Sequence, residues 1–297
     1  MTNVILCGLG AVGLTYAVKL KDKCVLKILV DETRLKRYRE KPLLFNGEEQ
    51  DFDYILPDDS FNPDLIIITV KSQGLESVIA QINNYVKPDV RIISLINGIS
   101  SEDKIKKAYP FSKVLKSYFI GHSAVRMGNS VTQDGVGEIV IEHDDFVEEF
   151  FKKAGIKYSI PYDINYSMWL KFTLNLFSNQ TSAILDMTFG ELKQNKHFLE
   201  FAKKIVNEVR QIAEKRGVLG LENLEKDSLL ALSKMCDEGK TSMHQDIIAK
   251  RPTEVDIFAG EIIQLGKKYG IETPYNNVLY DLIKIAEEKN EHSVYSG

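Results

Sequence analysis

The chain has 297 residues, a formal net charge of −4, 44% hydrophobic residues and 27% charged residues. These values are typical of a globular protein with room for two ordinary domains. They exclude the basic surface of a nucleic-acid-binding protein. No apolar run reaches the roughly 18 residues that a membrane span requires, so we also expect no membrane partner.

The cysteines and the N-terminus point to a reducing compartment. Cys7, Cys24 and Cys236 are odd in number and form no C-x-x-C pair, and the histidines lie far apart in the sequence. We therefore expect neither a disulfide framework nor a metal site. Residues 4–14 are apolar but lack the basic leader of a signal peptide, which favours a cytoplasmic location.

The first half of the chain alternates strand-like and helical patterns. Strands are predicted at residues 3–7, 27–30, 65–70 and 90–96, helices at 12–21 and 73–85, and further short strands in the glycine-rich segment 121–137. Runs of consecutive β-branched residues suit central strands covered on both faces. The alternation predicts a Rossmann-like, doubly wound parallel sheet, that is, an α/β fold.

The second half has helical periods only. We predict helices at about 166–185, 191–217, 222–237, 253–269 and 275–289, with a change of character near Pro161. The chain is therefore divided into a dinucleotide-binding domain, residues 1–162, and an all-helical substrate domain, residues 163–297.

A glycine-rich motif follows the first predicted strand and opens the first predicted helix. Its sequence is Gly8-Leu9-Gly10-Ala11-Val12-Gly13, a G-x-G-x-x-G pattern in the context that dinucleotide binding requires. The glycines permit a tight turn, a close approach of backbone to the pyrophosphate, and close packing of helix on strand. A turn without a ligand is the alternative interpretation.

Asp31 follows the second predicted strand, and Glu32 comes next. A carboxylate at that point accepts hydrogen bonds from the ribose hydroxyls of NAD and repels the 2′-phosphate of NADP. Arg34 and Arg37 are close enough to reach a phosphate if Asp31 turns away. As an alternative, Asp31 caps the following helix.

A polar stripe crosses the otherwise apolar segment 169–179. Lys171, Asn175 and Asn179 have the spacing i, i+4, i+8 and share one helix face. Buried polar groups need partners, so the stripe is either a satisfied network between helices or a substrate site in the cleft between the domains.

These features resemble the ketopantoate reductases (2-dehydropantoate 2-reductases) over nearly the whole chain. The matching pieces are residues 8–13, Val70-Lys71, Asn97-Gly98, the stripe Lys171, Asn175 and Asn179, the block Ser242-Met243-His244-Gln245-Asp246, and the block Arg251-Pro252-Thr253-Glu254-Val255-Asp256. The resemblance implies a helical second domain similar to that of 6-phosphogluconate dehydrogenase. It also implies reduction of 2-dehydropantoate to pantoate in pantothenate biosynthesis, with NADP(H) as cofactor, and it is compatible with a homodimer.

The resemblance also implies a role for individual residues. Lys171 resembles the general acid, and Glu254 resembles its acidic partner near the cofactor. The resemblance implies cofactor contacts at Lys71, Asn97, Ala124 and Glu254. The glycine motif, residues 8–13, and Asp31 are predicted as cofactor contacts from the sequence pattern itself. The substrate contacts implied are Asn97, Lys171, Asn175, Asn179 and Ser242.

Three departures from the family pattern leave alternatives open. Asp31 and Glu32 stand where the family usually has an arginine, and Gly239 and Phe189 stand where some members have asparagine. A D-2-hydroxyacid dehydrogenase of the same fold that accepts bulkier keto acids is therefore one alternative. A cofactor-sensing protein without turnover is a second, although a sensor has no need of Lys171 as a proton donor.

Overall fold

The computed structural model describes residues 1–121, 123–135 and 137–294. The chain divides into two compact units, Met1–Ile164 and Asn165–Gly297. His122 and Val136, in the segment where the sequence predicts short strands, lie outside the described residues.

All strands of the described residues lie in the first unit, together with five α-helices. The strands are β1 Asn3–Cys7, β2 Val25–Leu29, β3 Leu43–Phe45, β4 Glu48–Gln50, β5 Tyr54–Ile55, β6 Leu65–Ile68, β7 Arg91–Ser94, β8 Lys113–Leu115, β9 Ser117–Ile120, β10 Ser123–Met127, β11 Ser130–Asp134, β12 Glu138–Ile141 and β13 Tyr158–Ser159. The helices are α1 Ala11–Leu20, α2 Glu32–Glu40, α3 Leu75–Gln81, α4 Ser101–Ala108 and α5 Asp145–Ala154.

The main sheet has the order β5-β2-β1-β6-β7-β8, and every neighbouring pair is parallel. The chain starts in the middle of the sheet, builds one side, and then crosses over to build the other. This is the order of the dinucleotide-binding doubly wound fold, with its switch point between β1 and β6. The predicted α/β fold class is confirmed.

Both faces of this sheet are covered, and successive side chains of a strand pack into a different core on each face. Val4 and Leu6 of β1 belong to one core with residues of α1 and α5. Ile5 and Cys7 belong to a second core with residues of α3 and α4. Because all four side chains are buried, the strand reads as a continuous apolar run rather than as an alternating one.

Two smaller sheets complete the first unit. One has the order β10-β11-β3-β4 and the other β13-β12-β9. Strands β10, β11 and β3 pack against α1. The sequence prediction lacks seven short strands, namely β3, β4, β5, β8, β9, β12 and β13. Each is only two to four residues long and carries no sustained alternation.

Over its described residues, the second unit contains helices and connecting loops but no strand. Its helices are α6 Ile164–Leu185, α7 Phe189–Gln194, α8 Lys196–Lys215, α9 Leu224–Ser233, α10 Ser242–Ile248, α11 Ala259–Tyr269 and α12 Pro274–Val294. Short 3-10 turns precede α9 and α11, at Leu221–Asn223 and Val255–Ile257.

Capping side chains explain where the sequence-based helix bounds were wrong. The helix predicted at 191–217 is two helices, because Asn195 has extended backbone and its side-chain oxygen accepts the Phe198 N–H at 3.0 Å. A capping box between Thr188 and Glu191 starts the first of them. Helix α10 was missed, since its seven residues are too short for a periodic signal.

Helix α6 runs through the core of the second unit. Phe172 stacks on Phe258 with ring centroids 5.9 Å apart, and Phe177 meets Phe198 edge to face. The N-terminus of α12 is held by Glu208 of α8, whose carboxylate accepts the backbone N–H groups of Tyr275 and Asn276 at 2.8 and 3.2 Å. A buried carboxylate at a helix N-terminus satisfies donors that have no partner within the helix.

Candidate active site

The glycine-rich motif forms a tight turn between β1 and α1. Gly8 has a φ of +101°, and a Cβ added there would lie 2.7 Å from Val70. A Cβ at Gly13 would lie 1.9 Å from the Gly8 carbonyl oxygen. The Thr69 hydroxyl donates to that oxygen at 2.7 Å and thereby fixes the turn against β6. Two of the three glycines are therefore required by the fold itself.

Gly10 differs from the other two glycines of the motif. A Cβ added there would meet no atom of the described residues within 4 Å, and its φ of −70° is open to any residue. The protein alone thus gives no reason for glycine at this position. An approaching pyrophosphate does, because α1 begins at the next residue and its first N–H groups have no partner within the helix. The turn therefore fits a dinucleotide.

Three further predicted cofactor residues follow strands of the main sheet. Asp31 follows β2, the exposed Lys71 follows β6, and Asn97 follows β7. Because the strands are parallel, their carboxyl ends share one edge with the glycine turn. The structure brings these residues to the edge where doubly wound sheets bind their ligands.

Asp31 is committed to local contacts. Its Oδ1 accepts the Arg34 backbone N–H at 2.7 Å, which caps α2, and its Oδ2 pairs with the Arg34 guanidinium. The capping alternative described above is therefore observed. A carboxylate and a guanidinium stand together where the adenosine ribose of a dinucleotide is expected.

Asn97 sits on a loop with a buried polar support. Beneath it, the Ser94 hydroxyl donates to Ser101 at 3.0 Å, and the Ser101 hydroxyl donates to Glu102 at 2.9 Å. Glu102 is only 6% exposed, and its Oε1 has no hydrogen-bond partner among the residues that the structure describes. Burial raises the pKa of Glu102 to about 7. This group is absent from the sequence-based predictions, although its position three residues before the buried Ile105 places both on one helix face.

Ala124 lies on β10 and is half-buried. It packs against the same core as Ala11 and Val12 of the glycine motif. The strand that carries this predicted cofactor contact therefore lies close to the start of α1.

In the second unit, α6 presents the predicted polar stripe. Lys171 and Asn175 are half-buried and Asn179 is 4% exposed, so the stripe runs from the accessible part of the helix into the core. The Asn179 side-chain oxygen lies 3.4 Å from the Ser178 hydroxyl. The helix begins at Ile164, before the segment where the sequence locates its start.

Ser242 is the first residue of α10 and is exposed. The preceding Thr241 caps the helix and also shares a hydrogen bond of 2.7 Å with the buried Ser182 of α6. The imidazole of His244, 1% exposed, has its Nε2 2.6 Å from Asp186 at the end of α6. These contacts fix the start of α10 against α6, the helix of the polar stripe.

Glu254 lies in a segment that α12 holds on both sides. The Thr253 backbone N–H donates to Glu287 at 2.6 Å. On the other side, Asp256 accepts hydrogen bonds from Tyr280 at 2.9 Å and from Lys284 at 3.2 Å. The half-buried Glu254 is therefore presented by a backbone with little freedom to move.

Phe189 and Gly239, the two residues that stand where some family members have asparagine, are in contact with each other. The Phe189 N–H donates to the Gly239 carbonyl at 3.0 Å, and a Cβ at Gly239 would lie 3.1 Å from the Phe189 ring. An aromatic ring thus occupies space that a side chain at position 239 would need. The two changes form one apolar replacement.

Metal-binding clusters and membrane-spanning helices were both sought among the described residues. Over the described residues, no group of three or more His, Cys, Asp or Glu side chains could hold a metal ion. Within the same residues, no helix is both long enough and apolar enough to cross a membrane.

A doubly wound sheet with this turn, followed in sequence by a helical unit with a lysine and two asparagines on one face, defines a nicotinamide-dependent oxidoreductase. The chain belongs to the ketopantoate reductase family. The family model "Ketopantoate reductase PanE/ApbA" matches residues 4–145, and its C-terminal counterpart matches residues 163–287. The resemblance inferred from the motifs is confirmed.

The similarity to known relatives and to solved structures extends over nearly the whole chain. The 2-dehydropantoate 2-reductase of Streptococcus pyogenes serotype M6 is 25% identical, over 96% of this chain and 97% of its own. A ternary structure of D-mandelate dehydrogenase with NADH and anilino(oxo)acetate has a TM-score of 0.84 at 24% identity, covering 97% of this chain and 99% of its own. A dimeric ketopantoate reductase from Staphylococcus aureus has a TM-score of 0.77 at 23% identity, with the same coverage.

Proposed function

We propose that this chain reduces 2-dehydropantoate to pantoate, a 2-keto acid to a 2-hydroxy acid. The curated relatives are named for this reaction, and the chain has the lysine and asparagines that it needs. The observation that carries the proposal is the face of α6, where Lys171 and Asn175 are accessible on a helix otherwise packed in the core.

The bound reduced nicotinamide supplies the hydride that reaches C2 of the substrate. Lys171 donates a proton from Nζ to the keto oxygen, and its positive charge stabilises the oxyanion that develops there. Asn175, Asn179 and Ser242 bind and orient the substrate oxygens, so that the reacting carbon is held in place. Glu254 and Asn97 position the lysine and the nicotinamide end of the site.

The test of the chemistry is Lys171→Ala, measured beside Lys203→Ala, a surface lysine of the same unit that pairs with Glu200. We expect kcat of Lys171→Ala to fall by roughly 10²-fold or more, while the Kd for the cofactor stays within about twofold. Lys203→Ala should behave as wild type. An unchanged kcat in Lys171→Ala would remove this residue from the mechanism.

We infer a preference for NADH over NADPH. Asp31 places a carboxylate where a 2′-phosphate would lie, and its pairing with Arg34 neutralises the nearby guanidinium. Accommodating the phosphate of NADPH requires that pair to open. Initial rates with each cofactor, at equal concentration and saturating substrate, test the preference.

The contact between Phe189 and Gly239 favours a second candidate, a D-2-hydroxyacid dehydrogenase for bulkier, less polar keto acids. Two positions that are asparagine in some family members are here an aromatic ring packed on a glycine. Turnover of ketopantoate, phenylglyoxylate and 2-ketoisovalerate separates the candidates. This second candidate is lost if ketopantoate has the higher kcat/KM by orders of magnitude, and it replaces the first if phenylglyoxylate does.

We also propose that the chain forms a homodimer, as the Staphylococcus aureus ketopantoate reductase does. Light scattering coupled to size-exclusion chromatography measures the mass directly. A mass equal to that of one chain would refute it.

A further inference from the structure

Arg126 connects β10 to the glycine-rich turn. One guanidinium N–H group donates to the carbonyl oxygen of Leu9, the second residue of the motif. Its Nε donates to the Gly128 carbonyl at 2.9 Å, which holds the side chain along its own hairpin. The guanidinium is therefore anchored beside the turn rather than extended into solvent.

The register of β10 explains this placement. Successive side chains of a strand point to opposite faces, so Ala124 and Arg126 share one face. Both are half-buried, whereas Val125 and Met127, on the other face, are 43% and 76% exposed. The face of Arg126 is the one on which Ala124 packs against the core containing Ala11 and Val12.

The positive charge of Arg126 and that of the α1 N-terminus repel each other unless an anion is bound between them. The N-terminus of α1 carries partial positive charge, and no acidic residue lies in its first turn. Arg126 adds a full positive charge there. Within the described part of the chain, it makes hydrogen bonds to carbonyl oxygens and no ion pair with a carboxylate. Two positive groups thus face the same region, and an anion bound there would offset both.

We propose that Arg126 is a phosphate-binding residue of the dinucleotide site. A guanidinium has five N–H donors in a planar fork, so the groups not used on Leu9 and Gly128 remain to bind phosphate oxygens. The phosphate is either the pyrophosphate, common to both cofactors, or the 2′-phosphate of NADPH. This inference rests on the proposed function, because it assumes that the turn binds a dinucleotide.

The experiment compares wild type, Arg126→Gln, Arg126→Lys and a charge-matched control, Arg39→Gln, at an exposed position of α2. Glutamine keeps an N–H donor for the Leu9 carbonyl but removes the charge, and lysine keeps the charge without the fork. Binding of NADH and NADPH is followed by nucleotide fluorescence. ADP, 2′-AMP and adenosine are then used as competitors, because they carry a pyrophosphate, a 2′-phosphate and no phosphate.

We expect Arg126→Gln to raise the Kd of the dinucleotide by about 10- to 100-fold, the loss of a charged hydrogen bond. Arg126→Lys should lie between it and wild type, and Arg39→Gln should match wild type. If the contact is to the pyrophosphate, NADH, NADPH and ADP weaken equally. If it is to the 2′-phosphate, only NADPH and 2′-AMP weaken. In both cases adenosine is unaffected, and the loss shrinks as salt screens the charge.

Two results overturn the inference: Kd values within twofold of wild type for both dinucleotides, or an equal loss for adenosine. The second would mean that Arg126 only shapes the turn. Failure of wild type to bind NADH or NADPH would refute the proposed function instead, so the two failures are distinguishable.

Discussion

Glu102 should make the stability of the first unit depend on pH. Its carboxyl is buried in the first turn of α4, where one oxygen accepts the Ser101 hydroxyl and the other has no hydrogen-bond partner among the described residues. Burial is the largest cause that raises its pKa to about 7, from 4.5. Because the folded pKa is raised, the neutral carboxyl favours folding. This contribution is fully present below pH 4.5 and is lost as the pH rises through 7.

The size of the effect follows from the shift. A change of one pKa unit corresponds to about 1.4 kcal/mol, so ionising Glu102 in the folded protein costs about 3 kcal/mol once the pH is well above 7. At pH 5 the cost is under about 1 kcal/mol. Glutamine has the same shape and no charge to ionise. Glu102→Gln should therefore be more stable than wild type at high pH and nearly equal to it at low pH.

Thermal unfolding from pH 5 to 8.5 measures this difference. For a unit of this size, 3 kcal/mol corresponds to a rise in Tm of roughly 6–12 °C at pH 8.5, shrinking to a few degrees or less at pH 5. Glu76→Gln, which removes an exposed carboxylate of α3, is the control and should show no such trend. A Tm difference for Glu102→Gln that does not change with pH would refute the reasoning.

Further substitutions have defined outcomes. Gly10→Ala should leave Tm within a few degrees of wild type but weaken cofactor binding at least tenfold. Gly13→Ala, whose methyl would lie 1.9 Å from a carbonyl oxygen, should lose about 3 kcal/mol or more of stability, and equal Tm values for the two variants would contradict this. Asp31→Ser keeps a capping oxygen but frees the neighbouring guanidinium, so the ratio of kcat/KM for NADPH over NADH should rise about tenfold or more, and an unchanged ratio would place the 2′-phosphate elsewhere. Glu208→Ala removes the acceptor of three N–H groups, two buried and one half-buried, and should lower stability by about 3 kcal/mol, measured as a lower Tm. Glu214→Ala, at an exposed position of the same helix, should not change Tm, and equal Tm values for the two variants would mean that water satisfies those donors.

The four central strands of the main sheet and the glycine-rich turn could be predicted from the sequence because their signals are local. A buried parallel strand is a continuous apolar run, and the turn that follows β1 needs glycine at Gly8 and Gly13 for steric reasons alone. The ends of the predicted strands then locate Asp31, Lys71 and Asn97, since the carboxyl ends of parallel strands share an edge. The parallel order of the sheet therefore allows residues that are distant in the sequence to be assigned to one edge.

The same reasoning could not find Glu102 or Arg126. The role proposed for Arg126 and the pH dependence expected from Glu102 both depend on contacts with distant segments. Arg126 donates to the Leu9 carbonyl, and Glu102 adjoins a serine network that includes Ser117. A charged residue in a strand or on a helix reads as a solvent-exposed position unless its surroundings are known. In the second unit, helical periodicity gave the long helices but not their breaks, because Asn195 ends one helix and caps the next through its side chain.

The two units hold the residues of the proposed site by different physical means. In the first, the groups are backbone amides and loop side chains at strand ends, and buried polar residues such as Thr69 and Ser94 hold the loops. In the second, Lys171 and Asn175 are fixed by the helix itself, so rigidity comes from packing around α6. A substitution in the helical core should therefore alter catalysis and stability together, whereas one at a strand end, such as Gly10→Ala, should separate them.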